Sequence, residues 1–322
     1  MQTQTPSFTQ FQGQDLVRVG GQDDYLLLAP QAGARLVRWV HRGEDILFWP
    51  DQADWSQPAR VRGGNPLLFP FIARHFVDGV PGAWRDAGGT VRALPSHGFA
   101  RDLPFALTRY EAGSHIAMTL QASDATRAGY PFEFAFEAGY RLLEDGLEAT
   151  LRTRNTGTRP LPSPPSLPYY AGHHFYFALA HQARGAATLE MPPAQRMRQR
   201  ADGALDILGP GRACYRLDDP GLQDTFHVLR EPHAAPRACI LAMPPNPAAP
   251  HGRRLAIELD VPASPAAAPW FAVTTWSEHA GSDFYCVEPW LGLPNAIHHG
   301  TGLRWLAPGQ EETAVCRLRI LA

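Results

Sequence analysis

The feature that most restricts the fold of this chain is an apolar alternation of period two, which recurs along the sequence while no long stretch keeps a helical period. Phe132, Phe134, Phe136, Ala138 and Tyr140 alternate with Glu133, Ala135, Glu137 and Gly139. Residues two apart along a strand share a face, so the pattern predicts a half-buried strand with its aromatics inward. Leu147, Ala149 and Leu151 stand in the same way against Glu148, Thr150 and Arg152, and the turn Asn155-Thr156-Gly157 follows. Ala314, Cys316, Leu318 and Ile320 repeat the pattern against Thr313, Arg317 and Arg319, and Ile116, Met118 and Leu120 and the run Tyr25 to Ala29 add further strands. The 31 prolines and 29 glycines are scattered and interrupt every candidate long helix. The expectation is an all-β chain: one continuous domain over residues 1–322, a large antiparallel β-sandwich with few short helices and with function carried on long loops.

At 322 residues and 44% hydrophobic content the chain can fill a sizeable core. Its 29 basic and 31 acidic side chains leave a formal charge of −2, which favours neither nucleic acid nor an anionic membrane as partner. A small ligand fits better. Cys214, Cys239, Cys286 and Cys316 lie far apart and form no C-x-x-C pair, a pattern of free thiols in a reducing compartment. The polar start Met1-Gln2-Thr3-Gln4 predicts no secretory leader, and no apolar run approaches the roughly 18 residues of a membrane span. A cytoplasmic location is the corresponding expectation.

Four clusters hold chemistry. In Phe284-Tyr285-Cys286-Val287-Glu288-Pro289-Trp290, alternation puts Phe284, Cys286 and Glu288 on one face, so a carboxylate continues an apolar row. Unpaired and buried it would cost several kcal/mol, so it needs a partner or a task, unless it sits at a solvated strand end. In His173-His174-Phe175-Tyr176-Phe177, His174 and Tyr176 share one face, and a proton-exchanging ring is set among aromatics that suit the apolar faces of a sugar. His173 is the member of the pair assigned to a hydrogen-bonded place in the core. The remaining clusters are the polar turn Ser96-His97-Gly98-Phe99-Ala100-Arg101 and the segment Arg62-Gly63-Gly64-Asn65-Pro66 that runs on to Arg74. Either is also compatible with an ordinary turn. Asp224, following Asp218-Asp219-Pro220-Gly221, reads by itself as a turn residue.

No G-x-G-x-x-G or G-x-x-x-x-G-K loop occurs, which removes support for nucleotide cofactors, and no G-x-S-x-G elbow supports a serine hydrolase. The pairs His173-His174 and His298-His299 lack the H-E-x-x-H spacing, and adjacent strand residues face opposite ways, so no metal site is expected.

Taken in order, Gly63-Gly64-Asn65-Pro66-Leu67-Leu68-Phe69-Pro70, His97-Gly98-Phe99-Ala100-Arg101, His174-x-Tyr176-Phe177 and Glu288-Pro289-Trp290 resemble the aldose 1-epimerase (mutarotase) family, as do Tyr130-Pro131-Phe132, Asn155-Thr156-Gly157 leading to Leu161-Pro162, and Leu306-Ala307-Pro308-Gly309. The resemblance runs from about Tyr25 to Ile320. It implies a twisted antiparallel β-sandwich with the sugar in an open cleft on a concave sheet. It implies further that His174 is the general acid and Glu288 the general base. His97 would bind the sugar ring, Asp224 would hold its hydroxyls, and Arg74 would be a looser contact. The N-R segment of galactose mutarotases is missing, and the chain looks more like the branch that includes hexose-6-phosphate epimerases. In that branch Arg62 and Arg101 match positions of sugar-phosphate contact, although arginine bonds neutral hydroxyls as well.

The activity so implied is interconversion of α and β anomers of an aldose, or of an aldose phosphate, with no metal or organic cofactor. A non-catalytic carbohydrate-binding protein is the alternative from another class; such a module needs no acid and base pair, and both His174 and Glu288 are present.

Overall fold

The computed structural model describes residues 5–158, 166–230, 237–245, 252–259 and 268–321. The Met1 to Gln4 start and the Leu161-Pro162 pair lie outside them.

Strand alternation becomes sheet structure where it was read. Phe134–Leu143 buries Phe134, Phe136, Ala138 and Tyr140, and pairs antiparallel with Gly146–Asn155, which buries Leu147, Ala149 and Leu151. The strand begins at Phe134, two residues later than the alternation suggested, because Pro131 supplies no backbone donor ahead of it. These two strands are the third and fourth of a nine-stranded sheet in the order Ala106–Glu111, His115–Gln121, Phe134–Leu143, Gly146–Asn155, Glu311–Leu321, Arg253–Glu258, Ala238–Met243, Thr188–Glu190, Cys214–Arg216.

A second, eight-stranded sheet runs Leu205–Pro210, Ala194–Gln199, Thr225–Leu229, Ala272–Trp276, Phe284–Trp290, Gly172–His173, Leu67–Leu68, with Tyr176–Ala178 also paired to Phe284–Trp290. Every ladder in both sheets is antiparallel. Ser7–Phe11, Gln14–Gly20, Tyr25–Ala29, Arg35–His41 and Glu44–Asp45 form a five-stranded meander beside them. The α-helices among the described residues are the four-residue turns Asp124–Arg127 and Ala296–His299, so the fold is all-β.

Side chains of the two large sheets merge into one core. Phe69, just past the Leu67–Leu68 strand, stacks on Phe136 of the other sheet with ring centres 4.2 Å apart, and the Trp270 indole donates to the Val315 carbonyl at 2.8 Å. Along Phe284–Trp290 both faces are covered: Tyr285 and Val287 enter the core, whereas Phe284, Cys286, Glu288 and Trp290 alternate onto the opposite side. That opposite side is where the hollow lies. No helix among the described residues is long and apolar enough to cross a membrane. All four cysteines are free; Cys239, Cys286 and Cys316 are buried and Cys214 is exposed.

Candidate active site

Four neighbouring strands, Ala194–Gln199, Thr225–Leu229, Ala272–Trp276 and Phe284–Trp290, and the loops beside them bound a hollow of about 430 Å³ lined by Arg62, Arg74, Ser96, His97, His174, Gln199, Asp224, Phe226, Thr274, Trp276, Glu288 and Trp290, with Ala73. Asp224 immediately precedes Thr225–Leu229, which pairs with Ala272–Trp276. That strand pairs in turn with Phe284–Trp290, setting Thr274 opposite Glu288. His174 arrives from the other side, at the break between Gly172–His173 and Tyr176–Ala178.

His174 Nδ1 and Glu288 Oε1 are 3.5 Å apart. The carboxylate accepts a bond from the Trp290 indole at 3.2 Å, while the imidazole Nδ1 has no hydrogen-bond partner. The ring itself is fixed: it stacks on Tyr176 at 4.6 Å and 6°, and its backbone N–H donates to Asn65 Oδ1 at 2.8 Å. Asn65 also donates through Nδ2 to Tyr140 Oη and to His173 Nδ1, each at 2.9 Å. One buried amide thereby ties the site to the nine-stranded sheet and holds His173 as the core residue expected. Burial pushes the His173 imidazole down to about 3.

The resting charges differ from the ion pair that a general acid and a general base would suggest. Glu288 is 1% exposed and His174 7%, and desolvation opposes the charged form of both. Burial holds the Glu288 carboxyl well above the carboxylate range, with Asp224 adding to the rise against the Trp290 bond. Burial, then Arg101, Arg62 and Arg35, holds the His174 imidazole well below its ordinary range. Both shifts favour the uncharged forms, a carboxylic acid beside a neutral imidazole. Transfer across the 3.5 Å gap gives carboxylate and imidazolium without changing the net charge of the pocket.

His97 is locked by two bonds to Ala73: its N–H donates to the Ala73 carbonyl at 2.9 Å and its Nδ1 accepts from the Ala73 N–H at 3.1 Å. Burial and the Arg101 charge keep the ring neutral, so its proton sits on Nε2, where it can donate. This geometry needs left-handed backbone at His97 (φ 66°) and Gly98 (φ 72°). A Cβ on Gly98 would lie 2.0 Å from the Phe69 carbonyl oxygen. Asp224 (φ 51°) is left-handed too, a conformation aspartate tolerates better than most residues.

The arginines divide. Arg62 is on the rim, paired with Glu278 at 3.0 Å and lying 5.5 Å over the Trp276 ring. Arg74 lines the hollow, 6.0 Å from the Phe76 ring. Arg101, expected as a substrate contact, is not part of the lining: its Nη2 donates to the Ser96 carbonyl at 2.8 Å, so it acts from behind the wall. Sequence reasoning passed over Arg35, which is fully buried with Nε and Nη2 unpartnered and is pushed down to about 10, first by desolvation. It also passed over Ser96, Gln199, Thr274 and Trp276. Thr274 and Trp276 lie on one face of an apolar run, but nothing in that run distinguishes a wall of a hollow from a wall of the core.

The hollow thus lies on one sheet of an antiparallel β-sandwich, with an imidazole and a carboxyl facing each other in its floor and aromatic rings around them. A family model described as aldose 1-epimerase matches residues 15–192, and the chain belongs to the aldose 1-epimerase family. That match includes Arg62, Arg74, His97, Arg101 and His174 and stops before Asp224 and Glu288, which only the fold brings to the same place.

Among curated proteins, the chain is 32% identical over 114 residues to a Salmonella typhimurium protein provisionally named glucose-6-phosphate 1-epimerase, and 30% identical to its provisionally named Escherichia coli counterpart. The match spans 34% of this chain and 34% of each relative. Among solved structures, a galactose mutarotase related enzyme from Lactobacillus acidophilus superposes with a TM-score of 0.74 at 20% identity, over 95% of this chain and 97% of that one. A galactose mutarotase-like protein from Lactobacillus casei gives 0.73 at 20% identity, over 95% and 100%. At such identities the likeness concerns the fold alone.

Proposed function

We propose that this chain interconverts the α and β anomers of an aldose by opening and closing the hemiacetal ring. The observation that carries the reading is the desolvated His174–Glu288 pair, 3.5 Å apart at the floor of the hollow. With the proton moved to the imidazole, Glu288 takes the O1 hydroxyl proton as the C1–O5 bond breaks, and His174 gives its proton to O5. The open aldehyde turns about C1–C2 so that C1 shows its other face to O5, the C1–O5 bond re-forms, and the two proton transfers run backwards. Protons balance over the cycle and the pair is restored. His97 Nε2, Asp224 and Thr274, whose hydroxyl lacks a partner, hold the ring hydroxyls, and Trp276 and Trp290 offer flat apolar faces. Each positioned acid or base is worth roughly 10² to 10⁴ in rate.

A specific observation favours aldose 6-phosphates as the preferred form: Arg62 and Arg74 line the hollow and the charges of Arg101, Arg62 and Arg35 all reach His174, positive charge that a phosphate dianion would offset. The names of the curated relatives point the same way.

Anomer exchange measured by NMR on glucose and glucose 6-phosphate tests both parts. Glu288→Gln and His174→Ala should each lose about 10² to 10⁴ in kcat/KM, and the double variant little more, as for groups acting as a unit. Full activity in Glu288→Gln would remove the assignment. Arg62→Ala should erase most of any preference for the phosphate while sparing the free sugar; an unchanged preference would reject the phosphate form.

A further inference from the structure

Cys286 is a nucleophilic group beside the reacting pair to which anomer exchange gives no task. It shares the hollow-facing side of Phe284–Trp290 with Glu288, and its cross-strand partner is Tyr176, the ring on which His174 stacks. One ligand atom from each of His174, Cys286 and Glu288 lies within 4.8 Å of the other two, and all three residues are buried. Among the described residues it is the one such trio. An ion bound tetrahedrally at 2.0–2.3 Å keeps its donors roughly 3.3–3.8 Å apart. The imidazole Nδ1 and the carboxylate Oε1, at 3.5 Å, already have that separation. The thiol needs to close by at most about 1.5 Å. Nδ1 has no hydrogen-bond partner, so coordination there displaces none.

We propose that His174, Cys286 and Glu288 form an inhibitory site for one divalent cation of the zinc and cadmium class, entered through the sugar hollow, with a fourth position left for water or a sugar hydroxyl. Thiolate, imidazole and carboxylate suit such ions, whereas magnesium and calcium prefer oxygen ligands. Thiolate and carboxylate together cancel the charge of the dication. The neighbouring arginines would repel a bare cation but not this neutral ensemble. As the metal–sulfur bond forms, the thiol proton leaves to bulk water, and the carboxyl releases its proton if it carries one. Occupancy would tie up both groups that the proposed epimerase uses, so the effect on activity rests on that reading; binding does not.

The test adds Co²⁺ and then Zn²⁺ to the reduced full-length chain, follows thiolate-to-cobalt charge transfer in the near ultraviolet, and records zinc-edge X-ray absorption on the zinc form. One equivalent should bind, with a charge-transfer band lost in Cys286→Ser and kept in Cys214→Ser. The zinc shell should hold one sulfur at about 2.3 Å beside nitrogen and oxygen at about 2.0–2.2 Å. Cys286→Ser should weaken zinc at least about 100-fold, with metal-free mutarotation close to that of the parent chain. No band in the parent chain, a band surviving in Cys286→Ser, or a shell without sulfur would overturn the proposal. The absorption measurement uses the parent chain, so its outcome does not depend on how a variant folds. A bound metal without any metal-free mutarotation would count against the epimerase reading alone, and normal mutarotation without metal binding against the metal site alone.

Discussion

Burying Glu288 carries a stability cost beside its proposed role in proton transfer. Its folded carboxyl keeps a proton that the unfolded chain releases above about 4.5, so its contribution falls as pH rises from that value toward its raised folded range. A neutral amide of the same shape lacks this penalty. Glu288→Gln should therefore melt at a higher temperature than the parent at pH 7 to 8, by an increment that shrinks toward pH 4, while mutarotation collapses; thermal melts at several pH values read both the sign and the trend. The same shifts set the rate profile in metal-free buffer. The working form holds one proton per pair, lost on the acid side only when His174 protonates below its ordinary range and on the alkaline side only when Glu288 ionises above its own. A broad plateau between those limbs is expected in kcat/KM; a narrow bell centred on the usual histidine range would contradict it.

At the scale of elements, two supports hold the site, and each is open to a single substitution. Asn65 makes three side-chain bonds to buried partners, and Asn65→Ala strands each of them at about 1–3 kcal/mol. Chemical denaturation should show a loss of several kcal/mol, and the surviving folded protein should lose kcat more than KM as His174 drifts. Gly98→Ala meets both a forbidden backbone region and the Phe69 carbonyl and should destabilise by at least about 2 kcal/mol. Strands were legible in the sequence because alternation is local: Phe134 to Tyr140, Leu147 to Leu151 and Ala314 to Leu318 fell as read. His174 and Glu288 were legible from motif and face. The approach of Cys286 to within 4.8 Å of His174 was not, since it depends on a Tyr176 to Cys286 register fixed by pairing 110 residues apart in sequence. That Arg101 stands behind the wall rather than in the lining was not legible either: a turn reveals which residues it contains but not which side of a wall they reach from.

For the whole molecule, buried neutral histidines make acid the weak side. His75 and His227 are pushed down to about 4 and His173 to about 3, in each case chiefly by burial. Their folded values lie below the unfolded value of about 6.5, so the unfolded chain takes up protons first. The stability they contribute is intact above pH 6.5 and is lost as pH falls toward 4. Each is worth up to roughly 2 kcal/mol between pH 7 and pH 5, and urea midpoints should drop across that interval; a flat midpoint would show these rings accessible to protons in the native state.

Glu288 stands on a strand and His174 at the short break between two strands that flank it in the same sheet, whereas Arg62, Arg74 and Asp224 reach in from loops. The sheet thus sets how far apart imidazole and carboxyl sit, and loop conformation shapes the rim around them. Evolution can thus retune the clientele of such a scaffold by editing its margins, leaving the reaction performed at its centre untouched.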